Sequence, residues 1–152
     1  MKKEPFQIAF IGGGINSAIG EVHKVASQMD GCFTLVAGAF SSHKDINLET
    51  AAAWNVSSER TYETYQELLE KEQNKLDAVV VLVPTDLHAE VVLATLEKHI
   101  PVICEKSLAA SVEEGFQIAK AVKESNLFFC TTYNYTGYPM VRELAKIIEE
   151  GK

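Results

Sequence analysis

The sequence predicts one doubly wound α/β domain: a parallel sheet, helices on both faces, three layers in the order α/β/α. Three observations predict it. Short apolar runs of buried-strand character alternate with helically spaced segments over residues 6–150. The first run enters three consecutive glycines, Gly12, Gly13 and Gly14, and then a helix. No low-complexity linker interrupts the alternation, and 152 residues is the size of one domain with a real core.

The opening stretch organises the rest. Phe6, Ile8, Ala9, Phe10 and Ile11 form a nearly continuous apolar run, the pattern of a strand covered on both faces. Gly12 and Gly14 fill the first two places of G-x-G-x-x-G, the third falls on Ser17, and the next glycine is Gly20. Such a turn lets backbone approach a bound group closely, and the following helix points free N–H groups and its positive dipole end at it. A pyrophosphate is the natural occupant. A Ser17 hydroxyl can cap the helix or donate to phosphate. A tight strand-to-helix turn without ligand reads the same way, so the turn alone leaves both open.

Residues 18–29 carry apolar side chains at helical spacing, and Asp30-Gly31 stops the helix. Residues 33–40 are the next strand, which completes a βαβ unit and makes the pair parallel. That strand ends in Phe40, Ser41, Ser42, His43 and Lys44, with no carboxylate before Asp45. An acidic residue here binds an adenosine ribose, whereas small hydroxyls beside a cation accept a 2′-phosphate as well. The residues lean toward NADP over NAD, and a plain solvated loop is the alternative.

Residues 48–54 and 64–72 read as short helices, with a loop over 55–62. Residues 79–83 form a branched apolar run that predicts a central strand, ended by Pro84. A helix over 85–98 follows, with Thr85 or Asp86 as its cap. Residues 101–104 are a short strand, and Glu105 and Lys106 emerge at its carboxyl end. Ser111 and Glu114 form a capping box for a helix reaching Ser125. A strand over 127–132, a polar-aromatic turn over 133–138 and an amphipathic helix over 139–150 complete the order.

The totals exclude several classes. A net charge of −7 argues against a general nucleic-acid or anionic-membrane surface. No apolar run approaches the roughly 20 residues of a membrane span, and the Lys2-Lys3 start is followed by too short an apolar segment for a secretory signal. Cys32, Cys104 and Cys130 are widely spaced and form no C-x-x-C pair, so neither a disulfide framework nor a metal site is expected. A reducing cytoplasm fits.

Charged residues at the carboxyl ends of parallel strands stand where ligands of these folds bind. Lys106 can polarise a carbonyl or share a proton with an alcohol, and Glu105 can orient a ribose or amide. A surface ion pair between them is the alternative.

Four motifs in order, IGGGINSAIG, PTDLH, CEKSLA and TTYNYTGYP, resemble the Gfo/Idh/MocA family of NAD(P)-dependent oxidoreductases from Phe6 to the end of the chain. The resemblance implies a Rossmann fold, residues 1–152 as its NAD(P)-binding domain, and a C-terminal α/β domain beyond this chain that carries much of the substrate site, the catalytic histidine with its aspartate, and often the subunit interface. It implies that Gly12, Gly14, Ile15, Asn16 and Ser17 hold the pyrophosphate and that Ser41 and Ser42 lie near the adenosine ribose. Val83, Pro84, Thr85 and His88 would line the cofactor cleft. Glu105 would sit near the nicotinamide ribose, Lys106 would be the catalytic lysine, and Tyr133 and Asn134 would approach from the last strand.

Three residues depart from the family pattern: Ser107 for the proline of E-K-P, Ser17 for glycine, and Thr85 where many members carry asparagine. The implied activity is hydride transfer between a secondary alcohol or ketone of a sugar or polyol and nicotinamide. A non-catalytic dinucleotide-binding module is the alternative, as is, more distantly, a domain for another nucleotide. Self-association through residues 133–140 is expected where a missing domain would leave apolar surface.

Overall fold

A computed structural model describes residues 4–151, so the Lys2-Lys3 start lies outside the described residues. The elements run β1 (Phe6–Gly12), α1 (Ala18–Gln28), β2 (Phe33–Ala39), α2 (Lys44–Ala53), α3 (Tyr65–Glu72), β3 (Ala78–Leu82), α4 (His88–Glu97), β4 (Val102–Cys104), α5 (Val112–Ser125), β5 (Phe129–Thr131) and α6 (Pro139–Glu149). The five strands are all parallel in the order β2-β1-β3-β4-β5. The order reverses between β1 and β3, where a ligand crevice forms in such sheets.

Alternate residues of the strands feed two cores. Ala9, Ile11, Val79, Val81 and Val102 pack with Leu68 of α3, Val92 of α4 and Ile118 of α5. Ile8, Phe10, Val80 and Leu82 face the other way, with Ala51 and Trp54 at the end of α2. Trp54 meets both Phe10 and Phe40 edge-on, at ring-centroid distances of 6.1 and 5.5 Å. The arrangement is the three-layer Rossmann fold.

Several local expectations change. α2 starts at Lys44, four residues before the apolar spacing suggests, because the buried Asn47 belongs to it. Asn47 Oδ1 accepts from the Phe40 N–H and its amide donates to the Tyr62 carbonyl, each at 2.8 Å. A polar side chain therefore anchors the helix that periodicity alone places later. The loop over 55–62 includes a 3-10 turn at Ser58–Arg60 and a bridge from Thr61 to Gly38.

The segment after Pro84 begins as a 3-10 turn at Thr85–Leu87, and neither Thr85 nor Asp86 makes a side-chain cap. Ser17 caps α1 by backbone only. Ser111 does accept from the Glu114 N–H, while the Glu114 carboxylate reaches back to the Ala110 N–H rather than to Ser111.

α1 is where expected, but Val22, Val25 and Met29 point outward and are 59%, 52% and 81% exposed. The inner side carries the buried Gly20 and the half-buried His23 and Ser27 instead. Every residue of α6 is exposed, including Met140, Leu144 and Ile148 of its apolar stripe.

Candidate functional site

The glycine turn is built by steric exclusion. Gly12 has φ +81°, and a Cβ there would stand 2.8 Å from the backbone at Leu82 and Val83. A Cβ on Gly14 would stand 3.1 Å from the Phe40 carbonyl, to which the Gly14 N–H donates at 3.0 Å. The carboxyl ends of β1, β2 and β3 are thus drawn together where any side chain would intrude. Gly20 takes the close-packing role of the third fingerprint glycine, since its Cβ would lie 1.7 Å from the Gly13 carbonyl oxygen.

Of the turn's N–H groups, Ile15 donates to Thr50 Oγ1 at 2.9 Å and Ser17 to the Gly14 carbonyl at 2.7 Å. The Asn16 N–H and the first-turn N–H groups of α1 remain for a ligand, and the Ser17 hydroxyl makes no cap bond.

Above the turn lies a cleft of 690 Å³. It brings together Gly12, Gly14, Asn16 and Ser17 with Ser41 and Ser42 at one end and Val83 and Pro84 across from them. Ile15 is exposed beside the turn without lining the cleft. Thr85, Glu105, Lys106 and Asn134 also lie outside its lining.

His88 is buried rather than in the cleft wall: its ring nitrogens are 2.7 Å from the Ser107 carbonyl and 2.9 Å from that of Val83. It ties the exit of β3 to the segment after β4. Thus it supports the wall at Val83 from behind.

At the Ser41–Ser42 end of the cleft, Ser41 Oγ accepts from the His43 N–H at 3.1 Å. Lys44 does not stand free beside the serines; its ammonium is 2.6 Å from the Glu63 carboxylate, with both side chains mostly exposed. Glu63 also lines the cleft, so a carboxylate does reach this end, from the loop before α3 rather than from β2.

Glu105 and Lys106 form no surface ion pair. Glu105 is buried, and its carboxylate accepts from Thr132 Oγ1 at 2.6 Å, His23 Nε2 at 2.9 Å and the Lys106 N–H at 3.0 Å. Burial alone pushes its pKa up, but the Thr132, His23 and Lys106 hydrogen bonds outweigh that and hold it below the usual carboxylate value. Burial and the adjacent Glu105 charge push the Cys104 thiol up to about 12, which makes it a packing residue rather than a nucleophile. Lys106 is exposed.

A family model described as an oxidoreductase family with an NAD-binding Rossmann fold matches residues 6–145. The chain belongs to the Gfo/Idh/MocA family. It is 30% identical to the uncharacterized oxidoreductase YfiI of Bacillus subtilis, over 97% of this chain and 39% of that protein. It is also 30% identical to the levoglucosan dehydrogenase of Pseudarthrobacter phenanthrenivorans, over 95% of this chain and 37% of that enzyme.

An inositol dehydrogenase homolog from Azotobacter vinelandii, solved in complex with NAD+, superposes with a TM-score of 0.92 at 32% identity, covering 97% of this chain and 39% of that one. The chain therefore spans about two fifths of these relatives and matches the family's NAD-binding Rossmann fold over residues 6–145.

Four residues with evident structural roles in this Gfo/Idh/MocA domain were given no role by sequence reading: Gly20 and Thr132, which lie inside quoted motifs, and His23 and Glu63, which do not. Gly20 was visible as a late glycine. His23, one turn further along the same helix face, carried a signal too, because a histidine in step with a packing glycine faces the sheet. Thr132 stood within TTYNYTGYP without a role read for it, and Glu63 left no trace.

Proposed function

We propose that residues 1–152 are the cofactor half of an NAD(P)-dependent dehydrogenase whose substrate is a sugar or cyclic polyol. The substrate site and a second α/β domain lie outside this chain. The observation that carries the cofactor reading is the cradle at Gly12 and Gly14, where a Cβ would strike Leu82, Val83 or Phe40 and where the Asn16 N–H and the start of α1 face an open cleft.

When bound, the nicotinamide supplies the hydride acceptor or donor. Gly12, Gly14, Asn16 and Ser17 hold the pyrophosphate, Ser41 and Ser42 the adenosine ribose, and Val83 and Pro84 wall the cleft. The Lys106 ammonium stabilises negative charge developing on the substrate oxygen. Closure by the second domain excludes water, so the isolated chain binds cofactor and turns over little.

At the adenosine end the reading extends to NADP. Lys44 is held only by an exposed pair with Glu63, a weak interaction, so a 2′-phosphate competes for it. The three free cysteines suit a reducing cytoplasm, and among the described residues no helix is long and apolar enough to cross a membrane.

Calorimetric titration with NAD(H) and NADP(H) tests the reading, using the wild-type chain, Ser17→Asp and Lys106→Ala. Saturable binding lost in Ser17→Asp and kept in Lys106→Ala is expected, because only the first places a carboxylate against the pyrophosphate. A folded chain that binds neither cofactor overturns it.

A further inference from the structure

Glu105 and Lys106 are opposite charges on consecutive residues at the carboxyl end of β4, yet they point to different environments. The carboxylate is buried and the ammonium side chain is exposed, with no ion pair to an acid among the described residues. Three donors from three parts of the fold converge on the carboxylate: His23 of α1, Thr132 just past β5, and the backbone of Lys106 itself. His23 lies 82 positions from Glu105 in the chain, and Thr132 lies 27.

The surroundings do not demand this polarity. His23 and Thr132 border an apolar groove with Ile8, Phe10, Val80 and Ile103, and the Phe10 ring meets His23 edge-on at 6.4 Å. Replacing buried ionic groups by well-packed apolar residues of similar volume is often neutral or stabilising. A buried carboxylate kept with a full set of donors, directly before an exposed lysine, points to a role in placing that lysine.

We propose that His23 and Thr132 are positioning residues that hold Glu105 inward, so that Lys106 leaves the sheet with a fixed backbone and an ammonium that its neighbouring acid does not neutralise. The Lys106 N–H, by donating to the Glu105 carboxylate, is the link through which the clamp acts. The inference rests on the dehydrogenase reading for what the ammonium then meets; the clamp itself is a property of this chain.

The test is 1H–15N and carboxyl 13C spectroscopy of the 152-residue chain, with NADH and ADP-ribose titrations beside it. The Lys106 amide is expected far downfield and slow to exchange. In His23→Leu and Thr132→Val it moves upfield and exchanges about tenfold faster, the loss of roughly one good hydrogen bond, and NADH loses its affinity advantage over ADP-ribose. His23→Gln, which keeps a donor at the Nε2 position, restores the amide.

Lys106→Ala, a surface change that leaves the fold intact, is expected to leave the Glu105 carboxyl signal in place. A Lys106 amide unchanged in both His23→Leu and Thr132→Val overturns the clamp, and so does a Glu105 carboxyl signal that moves when the ammonium is removed. If the wild-type chain fails to bind NADH, the dehydrogenase reading falls, while the amide and carboxyl signals still decide the clamp.

Discussion

Gly20 of α1 lies flat against Gly13 of the glycine turn, so close that a Cβ on Gly20 would sit 1.7 Å from the Gly13 carbonyl oxygen. That contact sets both the height and the rotation of α1 over the sheet. Gly20→Ala must push the helix away or reshape the turn. The expected cost is at least the 1–3 kcal/mol of an overpacked core, together with loss of cofactor binding, read by urea unfolding and NADH titration of the same sample. An alanine variant of wild-type stability and affinity would show that the contact is slack.

Glu72 is fully buried and accepts from Arg60 Nε and Nη2, at 3.0 and 2.6 Å, and from the Tyr62 hydroxyl at 2.6 Å. Arg60→Ala strands the carboxylate, at a cost of about 3 kcal/mol, the lower end for a broken buried pair because Arg60 itself is partly exposed. Denaturant unfolding at neutral pH measures it. A loss below half that figure would mean that water reaches Glu72 in the variant.

The same carboxylate gives an acid limit. Burial raises the Glu72 pKa, but the Arg60 and Tyr62 hydrogen bonds outweigh it and leave the folded value below the ordinary 4.5. Glu105 is shifted in the same direction. A depressed folded pKa contributes stability that is fully present above the unfolded value and is lost as pH falls through the folded one. Stability should therefore be flat above about pH 5 and decline below 4.5. Glu72→Gln, less stable at neutral pH, should show a shallower decline; an unchanged slope would assign the acid limit to other groups.

Glu63, which lines the cleft beside Ser41 and Ser42, pairs with the exposed Lys44, and in the proposed reading this is the adenosine end. Removing its charge in Glu63→Gln frees the ammonium and takes a negative charge away from the 2′ position. NADPH affinity should rise several-fold while NADH affinity stays level or falls, and Lys44→Ala should erase the gain. Equal effects on both cofactors would move the selecting contact elsewhere.

Two apolar surfaces face solvent: Val22 and Val25 of α1 with Met29 at its end, and the stripe of α6 with the aromatics Tyr133, Tyr135 and Tyr138 before it. Exposed apolar area of this extent drives association. We propose that a second copy covers it when the chain stands alone. Sedimentation velocity over a concentration series should show reversible dimers that Leu144→Glu and Ile148→Glu together abolish. A single monomer boundary at all concentrations would exclude this.

Much of the fold was written locally. The apolar runs at Phe6, Phe33 and Val79, the stop at Asp30-Gly31 and the capping of α5 by Ser111 each act within a few residues, and each element forms at or near its expected place. The glycine turn was equally legible, because Gly12 and Gly14 exclude side chains for a reason that backbone geometry alone supplies. The start of α2 was not, since Asn47 anchors it through Phe40 and Tyr62, the latter 15 positions away.

The sequence by itself determined the strand and helix order, the parallel sheet and the glycine turn, all of which follow from periodicity and from what glycine permits. Only the tertiary structure decided which face of α1 turns inward, that His88 is buried behind Val83, that Lys44 is held by Glu63, and that Glu105 turns away from Lys106 toward His23 and Thr132. Hydrogen bonds and side-chain contacts between residues far apart in the chain have no periodic signature. They exist only once folding has brought the strand ends together.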